Sequence, residues 1–170
     1  MKTLHAIILA ASAITLLPMS GCGKHDNAKQ EEPHGHKAAH GGCLNVIGSC
    51  GNGHAEVKVE GDILKLWFVG GENDTDKAVR VPDKELTLAV NVEGGQNPRS
   101  ITLKCKPIQL LEEKEGDCSC FEGQADWLKT AKDFEAKGTV TFRGKQQEFK
   151  IDYPHGFDPD DDGHGEAHGY

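Results

Sequence analysis

Through the middle of the chain, apolar and polar residues alternate with a period of two. Ala55, Val57 and Val59 alternate with Glu56, Lys58 and Glu60, and Leu64, Leu66 and Phe68 continue the pattern beyond Gly61-Asp62. A two-residue loop at Gly61-Asp62 sets Glu60 opposite Ile63. It then pairs Val59 with Leu64, Val57 with Leu66 and Ala55 with Phe68, all on one face, and a one-residue slip would destroy this arrangement. Glycine in the first loop position suits a type II′ turn. Leu86, Leu88, Val90 and Val92 form a further alternating run before Gly94-Gly95, and Ile101, Leu103 and Cys105 form another. Val140 and Phe142 lead into Gly144-Lys145, and pairing about that loop sets Val140 opposite Phe149, with Ile151 following. Residues 124–135 break the period. Trp127, Leu128, Ala131 and Phe134 stand at helical spacing with Asp126 placed as N-cap, which predicts one short helix closing an end of the core, Trp127 included in it. Short strands with glycine-rich turns predict an all-β fold, an immunoglobulin-like two-sheet sandwich of about seven or eight strands or else a small barrel.

The ends of the chain read differently. Lys2 precedes a 12-residue apolar run at 6–17, shorter than the about 20 residues a membrane span needs, so 1–21 is expected to be a signal peptide. The run ends in Met19-Ser20-Gly21-Cys22, which resembles a bacterial lipobox, with Cys22 as the acylated residue. Lipid attached there implies a membrane partner and a place in the cell envelope, facing the periplasm. Gly23, where Asp is the usual inner-membrane retention signal, points to the outer membrane. Residues 22–41 hold no Val, Ile, Leu or aromatic residue and are expected to be a flexible tether, with the sandwich at 42–153. Residues 154–170, with five acids, no base and three His, are expected to be a disordered tail.

The charge excludes one class of partner. The chain has 27 acidic and 19 basic residues, and loss of Lys2 with the leader takes the net charge from −8 to −9. Nucleic acid needs clustered Lys and Arg, so it is not an expected partner.

Six cysteines in an exported chain point to disulfides unless a metal claims the thiols. With Cys22 assigned to lipid, five remain, and two bridges among them can form in 15 ways. Cys105 and the Cys118-Ser-Cys120 pair flank a polar loop, which favours Cys105 with Cys120, while Cys43 and Cys50 bracket a short segment suited to a local bridge.

The histidines are segregated. His25, His34, His36, His40 and His54 come early, His155, His164 and His168 come late, and none lies between His54 and His155. Neutral imidazole is the commonest transition-metal ligand. His34, His36, His40, His54, His155, His164 and His168 are therefore candidate ligands for Zn, Cu or Ni, by weak multi-His chelation from flexible ends. Cys43 and Cys50 stand near His40 and His54, which admits a mixed nitrogen and sulfur site at the start of the domain. The opposing reading is that these His are soluble spacer residues.

No metalloprotease helix motif, nucleophile elbow or phosphate-binding glycine loop is present, so neither an enzyme nor a small-molecule substrate is expected. His40-Gly-Gly42, His54-Ala-Glu-Val57, Val81-Pro-Asp-Lys-Glu-Leu-Thr87, Phe121-Glu-Gly123 and the hairpin at Gly144-Lys145 together resemble a group of small, uncharacterised exported bacterial lipoproteins. They also resemble the accessory β-domain of some periplasmic metal-efflux adaptors. The resemblance spans most of 40–153 and implies a metal-related or envelope-associated role. The cysteines at 43, 50, 118 and 120 depart from that pattern, so it carries no disulfide map. Two functions stay open: an envelope lipoprotein that binds or buffers metal, and a tethered structural module with a protein partner.

Overall fold

The computed structural model describes residues 36–95 and 97–160. Eight antiparallel strands form one sheet: β1 (Cys43–Val46), β2 (His54–Glu60), β3 (Ile63–Val69), β4 (Glu85–Val92), β5 (Arg99–Cys105), β6 (Cys120–Gln124), β7 (Phe134–Phe142) and β8 (Lys145–Tyr153). Their spatial order is β1-β2-β3-β6-β5-β4-β7-β8. Within it, β3 to β6 make a Greek-key arrangement, since β6 returns to lie beside β3.

The sheet curls until β8 approaches β1. No backbone ladder joins these two strands, and the gap is bridged by the side chain of Asn45, which is fully buried. Its Oδ1 accepts from the Asp152 amide at 2.8 Å, while its Nδ2 donates to the Ala55 carbonyl at 3.2 Å. Two separate sheets are therefore not formed. The sandwich expectation gives way to a nearly closed, barrel-like sheet, because one continuous run of strands encloses the whole apolar face.

The alternation in the sequence sorts the inside from the outside. Ala55, Val57, Leu64, Leu66, Phe68, Leu86, Leu88, Val90, Ile101 and Leu103 are all buried inward. Phe68 lies at the centre, its ring 5.7–5.9 Å from those of Phe121, Phe142 and Phe149. The β2–β3 hairpin has the expected register, Val59 opposite Leu64 and Ala55 opposite Phe68, with Gly61 at φ +65°. At β7–β8 the register differs by two residues. Val140 faces Gln147, and Phe149 faces Gly138. The turn is Arg143-Gly144 with both φ values positive, as a type I′ turn requires, so the loop sits one residue earlier than expected. A shift of two keeps Val140, Phe149 and Ile151 buried.

The expected helix over 124–135 does not form. A short 3-10 turn at Asp126–Lys129 replaces it, followed by β7. Phe134 belongs to the period-two series Phe134, Ala136, Val140 and Phe142, and β7 pairs with both β4 and β8. Those ladders outweigh one marginal helical segment. Ala125 holds the cap position without a side-chain bond, and Asp126 instead pairs with Lys129 at 2.9 Å. Trp127 is half-buried and packs edge-on against Phe134.

The disulfide joins Cys105 to Cys118, not to Cys120, and Cys43, Cys50 and Cys120 are free thiols. Cys105 opposes Phe121 on the inner face, whereas Cys120 opposes Trp67 on the other. A bend at Ser119 frees Cys118 from that parity. Glu113 holds the bend, its Oε1 accepting from the Ser119 amide and hydroxyl at 3.2 and 2.5 Å. The expected Cys43–Cys50 bridge is also absent. The Cys43 thiol is shared between the Val57 carbonyl of β2 and the Asp152 carbonyl of β8, and Cys50 is engaged elsewhere.

Candidate metal centre

Parity places His54 and Glu56 on the outer face of β2, yet both are buried, at 1% and 0% exposure. Their cover is residues 36–42, which cross that face as a strap. The strap has too few apolar groups to bury itself there, so polar bonds hold it. Glu56 accepts from the amides of Ala39, His40 and Gly42 at 3.1, 2.7 and 2.9 Å. It also accepts from His40 Nδ1 at 2.8 Å, and the His40 ring stacks on Trp67 at 4.3 Å. Thr75 Oγ1 donates to the Lys37 carbonyl at 2.9 Å and fixes the far end. Only glycine serves at position 42, where a Cβ would lie 2.4 Å from the Val57 carbonyl oxygen.

The strap delivers His36 to the loop before β2. There the ligand atoms of His36, Cys50 and His54 lie within 4.8 Å of one another. His36 Nε2 stands 2.8 Å from Cys50 Sγ, and His54 Nε2 stands 3.9 Å from it. The two rings are tilted by 49° with centroids 4.9 Å apart. On the far side of each ring, His54 Nδ1 meets the Gly70 carbonyl at 3.1 Å and His36 Nδ1 meets the Glu72 carbonyl at 2.8 Å. A carbonyl only accepts. Each Nδ1 therefore carries the proton, and each Nε2 turns its lone pair toward the thiol. Bond lengths of about 2.3 Å to sulfur and 2.0–2.1 Å to nitrogen put tetrahedral ligand atoms about 3.6 Å apart. A bound ion would part the first pair and close the second, each by less than about an ångström.

One loop organises the site. Residues 70–72 supply both carbonyls, and the Glu72 amide donates to the Cys50 carbonyl at 3.2 Å. Gly71 lets the two loops touch, since a Cβ there would lie 2.4 Å from Gly51 O and 2.6 Å from Cys50 O. Glu72 adopts φ +49°, which turns its carbonyl into the bond with His36.

Burial pushes the His54 pKa below its ordinary value, against the smaller opposing effect of its bond to Gly70, so the ring is neutral at neutral pH. Burial also pushes the Cys50 thiol up, with Asp158, Asp160 and Glu72 adding to the rise. The site thus presents two ready nitrogen donors and one thiol that an ion must deprotonate.

Of the seven histidines proposed as ligands, His36 and His54 come together here. His40 does not join them: its ring is stacked on Trp67, and it lies outside the group of ligand atoms within 4.8 Å. His155 lines the same cleft, but its Nε2 lies 3.2 Å from Asp133 Oδ1. His34, His164 and His168, and also His25 and Cys22, lie outside the described residues. So does the leader. Cys50 was expected in a disulfide and stands instead as the sulfur of a mixed nitrogen and sulfur group, while Cys43 takes no part. The available signal was Cys50 and His54 flanking the tight Gly51-Asn52-Gly53 turn. Nothing in the sequence marks the Gly70 and Glu72 carbonyls.

Comparisons with protein-family models, curated proteins and solved structures find no match to this chain. The chain is thus defined by its own geometry: an all-β, barrel-like protein with a His-Cys-His group that could hold a metal ion.

Proposed function

We propose that this chain is a lipid-anchored protein of the bacterial cell envelope, held at the membrane through Cys22, that binds and buffers a transition-metal ion. The ion sits in the His36–Cys50–His54 cleft, and no catalysis is required of it. One observation carries this reading: both imidazoles spend Nδ1 on backbone carbonyls, so both Nε2 atoms converge on one free thiol. That orienting arrangement is the habit of metal-ligating histidine. Thiolate with two imidazoles suits Zn or Cu and gives Ni a poorer fit. The remaining candidates, His34, His164 and His168, extend the function by weak chelation from the ends of the chain.

Metal analysis of the full chain, purified without an affinity tag, tests the reading. One equivalent of bound metal is expected, and Cys50→Ser should lose it while keeping the native melting curve. Metal-free wild-type protein that takes up no Zn or Cu on titration would overturn it.

A second reading, a structural or interaction module, is favoured by one feature. Leu110 is 96% exposed and Leu111 39% exposed at the tip of the loop between β5 and β6. Under this reading, replacing both leucines with Ser abolishes capture of an envelope protein and leaves metal content unchanged.

A further inference from the structure

Beside the His-Cys-His group runs a second strap, formed by residues 154–160. The Val46 amide donates to the Phe157 carbonyl at 2.7 Å, and the Phe157 amide donates to the Leu44 carbonyl at 3.2 Å. Phe157 is thus fixed along the free edge of β1, whose Val46 pairs with His54 on the other side. The next residue, Asp158, lines the same cleft as His36 and His54. Its Oδ1 accepts from the Asp160 amide at 2.9 Å, which leaves Oδ2 its lone pairs.

We infer that Asp158 completes this cleft as a four-coordinate Zn(II) site with His36, Cys50 and His54, and that the ion draws the 154–160 strap closed over it. The inference rests on the reading of the cleft as metal-binding and adds the fourth ligand, the ion and a movement.

Charge selects the ion. A thiolate and a carboxylate together balance the +2 of zinc, and binding releases the Cys50 proton to solvent. Cu(I) at the same donors would leave an excess negative charge. Among the described residues no methionine stands by to supply the soft axial thioether of blue-copper sites. The Asp158 carboxylate stands outside the group of three that lies within 4.8 Å, so engagement requires Asp158 to move inward. His155 of the same strap also lines the cleft, with its Nε2 engaged by Asp133 Oδ1 at 3.2 Å.

The test uses the full untagged chain as wild type, Asp158→Asn and Cys50→Ser, with melting curves to show that each variant is folded. Zn(II) affinity is read by competition with a chromophoric chelator and coordination by the visible bands of Co(II). Hydrogen exchange at amides 156–160 reads the strap. Loss of an outer partner of a metal ligand already costs about 10- to 100-fold in affinity, so Asp158→Asn should lose about 100-fold. It should also lose the four-coordinate Co(II) spectrum and the zinc-dependent protection of 156–160. Asp158→Asn with wild-type affinity and spectrum, alongside a defective Cys50→Ser, would overturn the fourth ligand and leave the metal site standing. Cu(I) that Zn(II) cannot displace would overturn the choice of ion. No zinc bound by the wild type would overturn both the inference and the reading beneath it.

Discussion

His36 and His40 are four residues apart on one strap and cross the same face of β2, yet they do different work. His40 gives its Nδ1 proton to the buried carboxylate of Glu56 and lays its ring flat on Trp67. His36 gives its Nδ1 proton to a backbone carbonyl and presents Nε2 to a thiol. A carboxylate and a carbonyl alike take the Nδ1 proton and leave Nε2 with its lone pair. What differs is the other side of the ring: His36 Nε2 meets the Cys50 sulfur, whereas the His40 ring is stacked on Trp67 and lies outside the group of ligand atoms. The function of each ring follows from what lies in front of it, and the residue type alone does not reveal it.

The comparison breaks most severely at Glu56. Replacing it with Ala strands the amides of Ala39, His40 and Gly42 and should cost about 3 kcal/mol in denaturant unfolding. Because the strap then loses its hold, metal affinity should collapse as well. Cys50→Ser should separate the two properties. Metal affinity falls about 100-fold, while the metal-free chain stays within about 0.5 kcal/mol of wild type, since Cys50 is only half-buried. His40→Ala should cost about 1–2 kcal/mol through the lost bond and stacking, and His36→Ala should spare stability and weaken metal binding.

Thiol chemistry sharpens the contrast further. Burial pushes Cys120 up to about 12, so it should resist maleimide at pH 7 until the chain unfolds. Cys50 should react in the native protein and be protected by bound metal, with both outcomes read by mass spectrometry. The smallest effect is on pH. His54 has a folded pKa below its unfolded value of about 6.5, so the unfolded chain binds the proton first. Metal-free protein should lose stability as pH falls from about 6.5 through the lower folded value, and the loss should level off below it.

Much of the barrel was legible in the sequence because each strand declares its face by alternation. The β2–β3 register followed from Ala55 through Phe68 and the glycine turn alone. Closure was not legible, since it depends on side chains of β1, Asn45 above all and Cys43 beside it, meeting Asp152 more than a hundred residues later. The helix expectation went astray where Phe134 fitted two periods and long-range pairing chose between them. The site was half legible. Histidine and cysteine types marked the neighbourhood, but residues 36–41 read as a tether because hydrogen bonds to Glu56 leave no hydrophobic signature. Pro154 onward read as a solvated end for the same reason, although Phe157 docks on β1.

Gly71 has an extended backbone, φ −92° and ψ 169°, that any amino acid tolerates. Its constraint is one of room: a single methyl at that point would act as a wedge between two loops. Gly71→Ala should therefore pry the sulfur away from both rings without altering any donor atom. The capacity to seize a cation would be set in part by a residue that offers it nothing.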